Sequence, residues 1–143
     1  MHSLPQEGAK QKLTFYVAQD LDQSIRSSVQ QLVDEVAASR MWSIAPPSFI
    51  DEIDESGAEV VGGILEIYSA LPPNMLAVEM DSKNLDDVEA LVGAVKKLSE
   101  KESLSFEFQL DTNFVGAIED GVIDRVLLDG LLIPWRNHLK EKR

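Results

Sequence analysis

The sequence predicts an α+β fold, a mainly antiparallel sheet with two helices packed on one of its faces. Three observations predict it. Leu104, Phe106, Phe108 and Leu110 alternate with Ser105, Glu107 and Gln109, the two-residue period of a strand with one wet face. Two stretches, 20–39 and 84–101, carry apolar residues at helical spacing and are long enough to cover such a sheet. The other apolar runs are short, rich in β-formers and bounded by Pro, Gly and Asp-Gly signals, as strands joined by tight turns are.

A polar segment, 1–11, reads as a frayed start. Leu13, Phe15 and Val17 then alternate along a first strand. Asp20 is suited to cap a helix with Gln23 three residues on, and Leu21, Ile25, Val29, Leu32, Val33 and Val36 form its buried stripe. Arg40 to Glu55 is the least regular part: Met41 to Ile44 suits a short extended segment, Pro46-Pro47 forbids a helix, and Phe49 to Asp54 reads as a strand. A turn at Glu55-Ser56-Gly57 makes it a hairpin with a return strand over Glu59–Leu71, in which Gly62-Gly63 marks a bulge or a close backbone approach. Pro72-Pro73-Asn74 ends that strand, and Met75–Met80 reads as one more short strand.

Asn84 stands as cap of the second helix, with Asp86 and Asp87 in its first turn and Lys96, Lys97 and Lys101 toward its end, the order that a helix dipole favours. Its stripe is Leu85, Val88, Leu91, Val92, Val95 and Leu98. After the 104–110 strand, Asp111-Thr112-Asn113 turns the chain into Phe114–Ile118, and Asp120-Gly121 breaks that partner. From Val122 the pattern is helical to Asp129, pauses at Gly130, and resumes near Leu131 or Pro134. The order strand, helix, strands, helix, strands, helices gives a ferredoxin-like plan elaborated by a C-terminal helical addition over 121–143, within one domain spanning 1–143.

A chain of 143 residues can bury a core without staples, and it has no cysteine, which removes disulfides, thiolate metal sites and cysteine nucleophiles. No apolar run suits a secretory leader or a membrane span, so a soluble, cytoplasmic protein is expected. Acidic residues outnumber basic ones, 25 to 13, for a net charge of −12. The excess is concentrated: Met41 to Val95 holds Asp51, Glu52, Asp54, Glu55, Glu59, Glu66, Glu79, Asp81, Asp86, Asp87 and Glu89 against one base, Lys83. Such a surface repels nucleic acid and anionic lipid and steers a cationic protein toward itself.

The cluster Asp51-Glu52-Ile53-Asp54-Glu55 invites a calcium reading, but a twelve-residue loop begun at Glu52 ends on Gly63 where a bidentate carboxylate is needed. Glu66 and Glu107, or Asp120 and Asp124, could do acid–base chemistry if brought together and desolvated, although strand carboxylates more often face water. His138, beside Trp135 and Arg136, reads as a surface residue of the last helix. No nucleophile elbow, Walker lysine or dinucleotide fingerprint is present, and no cofactor or metal site is indicated.

These observations favour a non-enzymatic acidic binding protein that engages a basic partner. By charge and size alone this is the way an immunity or inhibitor protein covers a cationic toxin or nuclease. Asp51, Glu52, Asp54, Glu55 and Glu59 would steer, and Trp42 or Tyr68 would anchor. The alternative is a homodimeric small-ligand or regulatory domain that self-associates through sheet edges or through Trp135 and Leu139, although core filling is the commoner role for Trp135, and a carboxylate-based enzyme comes third.

Overall fold

The computed structural model describes residues 10–68 and 76–142. Strand β1 (Lys10–Val17) leads to helix α1 (Gln23–Ala38), the hairpin β2 (Ser48–Ile53) and β3 (Glu59–Tyr68), and helix α2 (Val78–Glu102). The hairpin β4 (Ser105–Leu110) and β5 (Asn113–Glu119) follows, then the short β6 (Val122–Ile123). The chain closes with α3 (Arg125–Leu127), a π-helical turn (Leu128–Leu132) and α4 (Ile133–Lys142), which run on from one another. The strands form one antiparallel sheet in the order β2-β3-β1-β4-β5-β6, so the α+β architecture expected from the sequence holds. Two β-α-β crossovers interleave: α1 joins β1 to β2 across β3, and α2 joins β3 to β4 across β1.

The alternation in the strands sorts the two faces. Leu13, Phe15 and Val17 of β1, Val61, Leu65 and Ile67 of β3, and Phe106, Phe108 and Leu110 of β4 are buried in one core. Val29, Val33 and Val36 of α1, the Leu85 to Leu98 stripe of α2, and Leu127, Leu131, Leu132, Trp135 and Leu139 from the C-terminal helix close over them. Phe15 anchors the aromatic centre, edge-on to Phe106 at 5.8 Å. Gly62-Gly63 is a close approach and not a bulge, because the β1–β3 register runs through it unbroken and a Cβ at Gly62 would lie 1.8 Å from the Phe15 carbonyl oxygen. A bulge does fall between Phe108 and Gln109, opposite Gly116, whose φ of 146° and missing side chain let α3 bring Leu127 against β5.

Several local expectations change. Asp22, not Asp20, caps α1, its carboxylate accepting from the Ile25 N–H at 2.8 Å. The expected strand over Met75–Met80 is absent from its described part, since Val78 already begins α2 and Asn84 lies a turn and a half inside that helix. The expected helix from Val122 starts later, as Val122 and Ile123 pair with β5 and Asp124 caps α3 by accepting from the Leu127 N–H at 2.9 Å. Gly130 does not interrupt the last helix: Pro134 has no N–H to give the Gly130 carbonyl, and the ladder passes this point through a π turn in which the Ile133 N–H reaches the Leu128 carbonyl. Lys10 and Gln11 belong to β1 and are not part of a frayed start. Residues 1–9, the Pro72-Pro73-Asn74 break and the last residues expected of the return strand lie outside the described residues. No helix among those described is long and apolar enough to cross a membrane.

Candidate functional site

The acidic hairpin is partly neutralised from within. Arg26, projecting from the first turns of α1, holds Asp51 of β2 and Glu59 of β3 at once, and these two bonds, Asp51 first, raise its guanidinium pKa further. Asp54 is occupied by its own turn: Oδ1 accepts from the Ser56 hydroxyl at 2.6 Å, the Ser56 N–H at 2.9 Å and the Ala58 N–H at 3.0 Å. The Ser56 hydroxyl bond is the largest cause that holds the Asp54 carboxyl below its usual pKa. Glu52 and Glu55 remain, both exposed and with no ion pair among the described residues. Asp51 and Asp54 serve the fold of the hairpin, which leaves less charge to present outward than the sequence suggests.

Trp42 and Tyr68 come together elsewhere. They share a cavity of about 660 Å³ with Arg40, Met41, Ser43, Glu79, Met80, Lys83, Asp86 and Asp87. Tyr68 ends β3 whereas Glu59 begins it, so at ~3.3 Å per residue the cavity and the acidic hairpin lie roughly 30 Å apart, at opposite ends of the strand. Steering carboxylates and aromatic anchors therefore do not form one patch.

The cavity is built where three segments meet. Helix α1 stops at Ser39, whose hydroxyl donates to the Val36 carbonyl at 2.7 Å, and Pro46-Pro47 keeps the following loop from resuming a helix. The loop is pinned by buried Asp87 of α2, which accepts from the Ser43 N–H at 2.9 Å. Arg40 Nη2 lies 3.1 Å from Asp87 Oδ1, close enough for an ion pair but too poorly aligned for a hydrogen bond, and Nη1 donates to the Asp86 carbonyl at 3.2 Å. The guanidinium also stacks 5.3 Å from the centre of the Trp42 ring, and the indole N–H donates to the Ala37 carbonyl at 3.1 Å. On the same wall Arg40 Nε and Ser43 Oγ are buried without a hydrogen-bond partner among the described residues. Met41, at the rim, is 94% exposed, and Met80 across from it 40%. A fixed indole with two exposed, unbranched thioethers and spare polar groups can seat an apolar side chain of varied shape.

The other candidates do not assemble into chemistry. Glu107 accepts from the Tyr16 hydroxyl at 2.7 Å on the open sheet face, and Glu66 faces Lys12 across the β1–β3 register with the whole of β1 between the two glutamates. Asp124 caps α3 and Asp120 sits in the β5–β6 turn. His138 is half-buried, not the exposed residue expected, and its Nε2 has no partner among the described residues. Trp135 fills the core, and Leu139 is buried with it, so neither offers a self-association surface. No group of three potential metal ligands occurs among the described residues. A second groove, about 370 Å³ between α1 and α2, has both of its hydroxyls already bound, Ser28 donating to Glu102 at 2.8 Å and Ser39 to the Val36 carbonyl at 2.7 Å.

The chain matches no protein-family model, no curated protein and no solved structure.

Sequence reasoning singled out Trp42 and Tyr68 but passed over Arg40, Met41, Met80 and Asp87. The one signal for them was the tryptophan itself, preceded by a cation and a methionine in a loop that prolines keep open.

Proposed function

We propose that this chain is a non-catalytic binding protein that engages a basic partner protein, with the Trp42 cavity receiving an apolar side chain of that partner. The observation that carries the reading is Met41, fully out in solvent beside Trp42 at the mouth of a cavity of about 660 Å³. A large unbranched apolar residue held in the open next to an aromatic platform is what a contact surface needs and what a folding core does not. The partner's sign follows from the net charge of −12 and not from the cavity, where Glu79, Asp86 and Asp87 stand beside Arg40 and Lys83; Glu52 and Glu55 add to the field from the far end of the sheet. Long-range attraction brings the basic protein in, and the cavity holds it. An immunity-like or inhibitor-like role, in which this chain covers the cationic cleft of a toxin or nuclease, is the form of that reading that best suits so acidic a molecule.

The test is retention of proteins from the host extract on immobilised wild-type chain and on two variants, at low and high salt. A basic protein held by wild type, released by salt and lost with Met41→Asp is the expected result. Glu52→Lys/Glu55→Lys should slow its association at low salt without abolishing it. Retention that Met41→Asp leaves unchanged, or a partner that is itself acidic, overturns the proposal.

A further inference from the structure

The two edges of the sheet differ. One is β6, two residues long, and the other is β2, which runs from Ser48 to Ile53 with no described strand beyond it. The Asp54 N–H donates to the Ala58 carbonyl at 2.9 Å where the hairpin closes, which fixes the parity of the ladder. Ser48, Ile50 and Glu52 therefore turn their backbone groups to β3, and Phe49, Asp51 and Ile53 turn theirs outward, where they meet no partner among the described residues. Exposed edges are ordinarily blunted by brevity, a bulge, a proline or a lysine. β2 uses none of these: its register with β3 is unbroken, Pro46-Pro47 stop short of it, and it holds no base. It ends on Ile53, a β-branched residue 70% exposed. Its own charges, Asp51 and Glu52, are acidic, and Asp54, Glu55 and Glu59 stand at the turn beside them. Arg26 is the only ion-pair partner that any of these five has among the described residues, and it takes Asp51 and Glu59, so the hairpin stays strongly negative.

We infer that the free edge of β2 takes an extended, lysine- or arginine-bearing segment of the basic partner as an added strand. The inference rests on the reading of that partner as basic. At ~3.3 Å per residue β2 offers about 20 Å of edge, the length of a common strand. The outward groups of Phe49, Asp51 and Ile53 supply the main-chain hydrogen bonds, and the flanking side chains supply the selection. Asp51 lies opposite the core residue Val61, so Phe49, Asp51 and Ile53 stand on the helix side of the sheet, and Ser48, Ile50 and Glu52 on its open side. The segment accordingly alternates: apolar residues on the helix side cover Ile53, and a cation on the open side meets Glu52. A second copy of this chain suits the edge less well, because antiparallel pairing of two β2 strands brings their Asp51 and Glu52 carboxylates together. The same carboxylates that repel a second copy attract a basic strand.

The test is amide hydrogen exchange, read by NMR on the whole chain, with two synthetic peptides, acetyl-Lys-Val-Lys-Val-Lys-Val-amide and its counterpart with glutamate in place of lysine. At low salt and millimolar lysine peptide, exchange at Phe49, Asp51 and Ile53 should slow at least about tenfold, while Ile50 and Glu52, already bonded to β3, change little. The glutamate peptide should protect none of them, and Glu52→Lys/Glu55→Lys should reverse the preference. Ile53→Pro removes an outward N–H and no bond to β3, so its circular dichroism should match wild type while peptide protection at Phe49 and Asp51 falls. No slowing at these amides, equal slowing by both peptides, or slowing that appears without peptide as the chain is concentrated, which would make a second copy the occupant, overturns the inference. A basic protein retained by wild type and lost with Met41→Asp would survive that result, because β2 does not line the Trp42 cavity.

Discussion

Trp135 donates from Nε1 to Asp81 Oδ1 at 2.8 Å, and neither residue has any exposed surface. The other oxygen of the same carboxylate accepts from Lys142 Nζ at 2.8 Å, and that ammonium also donates to the Leu76 carbonyl at 2.9 Å. One buried carboxylate thus fastens the C-terminal helix to the start of α2 through an indole and an ammonium. A buried ion pair is costly to half-remove, because the group left behind keeps its desolvation penalty. Asp81→Ala should lower unfolding stability by about 3 kcal/mol, and Asp81→Asn, which still accepts from the indole, by about half of that. Urea unfolding followed by tryptophan fluorescence measures both; an Asp81→Ala midpoint equal to wild type would remove the carboxylate from this role.

The same helix shows what the sequence could and could not reveal. Leu85, Val88, Leu91, Val92, Val95 and Leu98 repeat at helical spacing and are buried as that pattern predicts, as are the alternating residues of β1, β3 and β4. Asp81, Asn84 and Asp87 were illegible, because polar residues near a helix start are ordinarily caps or solvated first-turn charges. Here all three are buried on one side of α2, and each ties down a different segment. Asp81 takes the C-terminal helix, Asn84 brackets the Tyr68 backbone through its N–H at 3.1 Å and its carbonyl at 3.0 Å, and Asp87 takes the Ser43 loop. Their partners are distant in sequence, so no local periodicity encodes them. The cavity is hidden for the same reason: Trp42 and Met80 meet only because Asp87 and Asn84 draw the loop and the end of β3 to the helix.

Asp54 gives the hairpin an acid-side dependence. Its folded-state pKa is depressed, so the stability it contributes is present above its ordinary value of 3.8 and lost as pH falls through the lower folded value. Asp54→Ala should therefore lower the melting temperature at neutral pH, and the difference from wild type should vanish in strong acid. Arg26→Ala frees Asp51 and Glu59 together, and its effect should shrink as salt is added because the bridges are solvent-exposed. A difference between wild type and Asp54→Ala that persists at the acid extreme would show that the turn does not use the charge.

On the alkaline side the responsive group is Tyr16. Burial, then the hydrogen bond to Glu107, push its pKa above the ordinary 10.0. For a folded pKa that is raised, the stabilisation is complete below the unfolded value and is lost as pH rises through the folded one. Urea midpoints taken from about pH 9 upward should fall more steeply for wild type than for Tyr16→Phe, which has no phenol to ionise. Parallel curves would mean that the Tyr16 phenol is neither shielded from water nor held by Glu107 in solution.

Two glycines separate close approach from idle flexibility. At Gly62 a Cβ would fall 1.8 Å from the Phe15 carbonyl oxygen and 2.7 Å from the Tyr16 Cα, both backbone atoms of the central strand that cannot turn aside. Gly62→Ala must push β3 from β1 in the middle of the sheet, and a loss of at least about 3 kcal/mol is expected. Gly93, inside α2, has nothing within 4 Å of the corresponding point, so alanine there adds helix propensity without a clash. Gly93→Ala should raise unfolding stability by about 0.5–1 kcal/mol, through a less entropic unfolded chain and a better helix. Opposite signs from the same one-carbon addition would locate the constraint in the β1–β3 backbone, whereas a stable Gly62→Ala chain would show that the two strands lie farther apart than this packing requires.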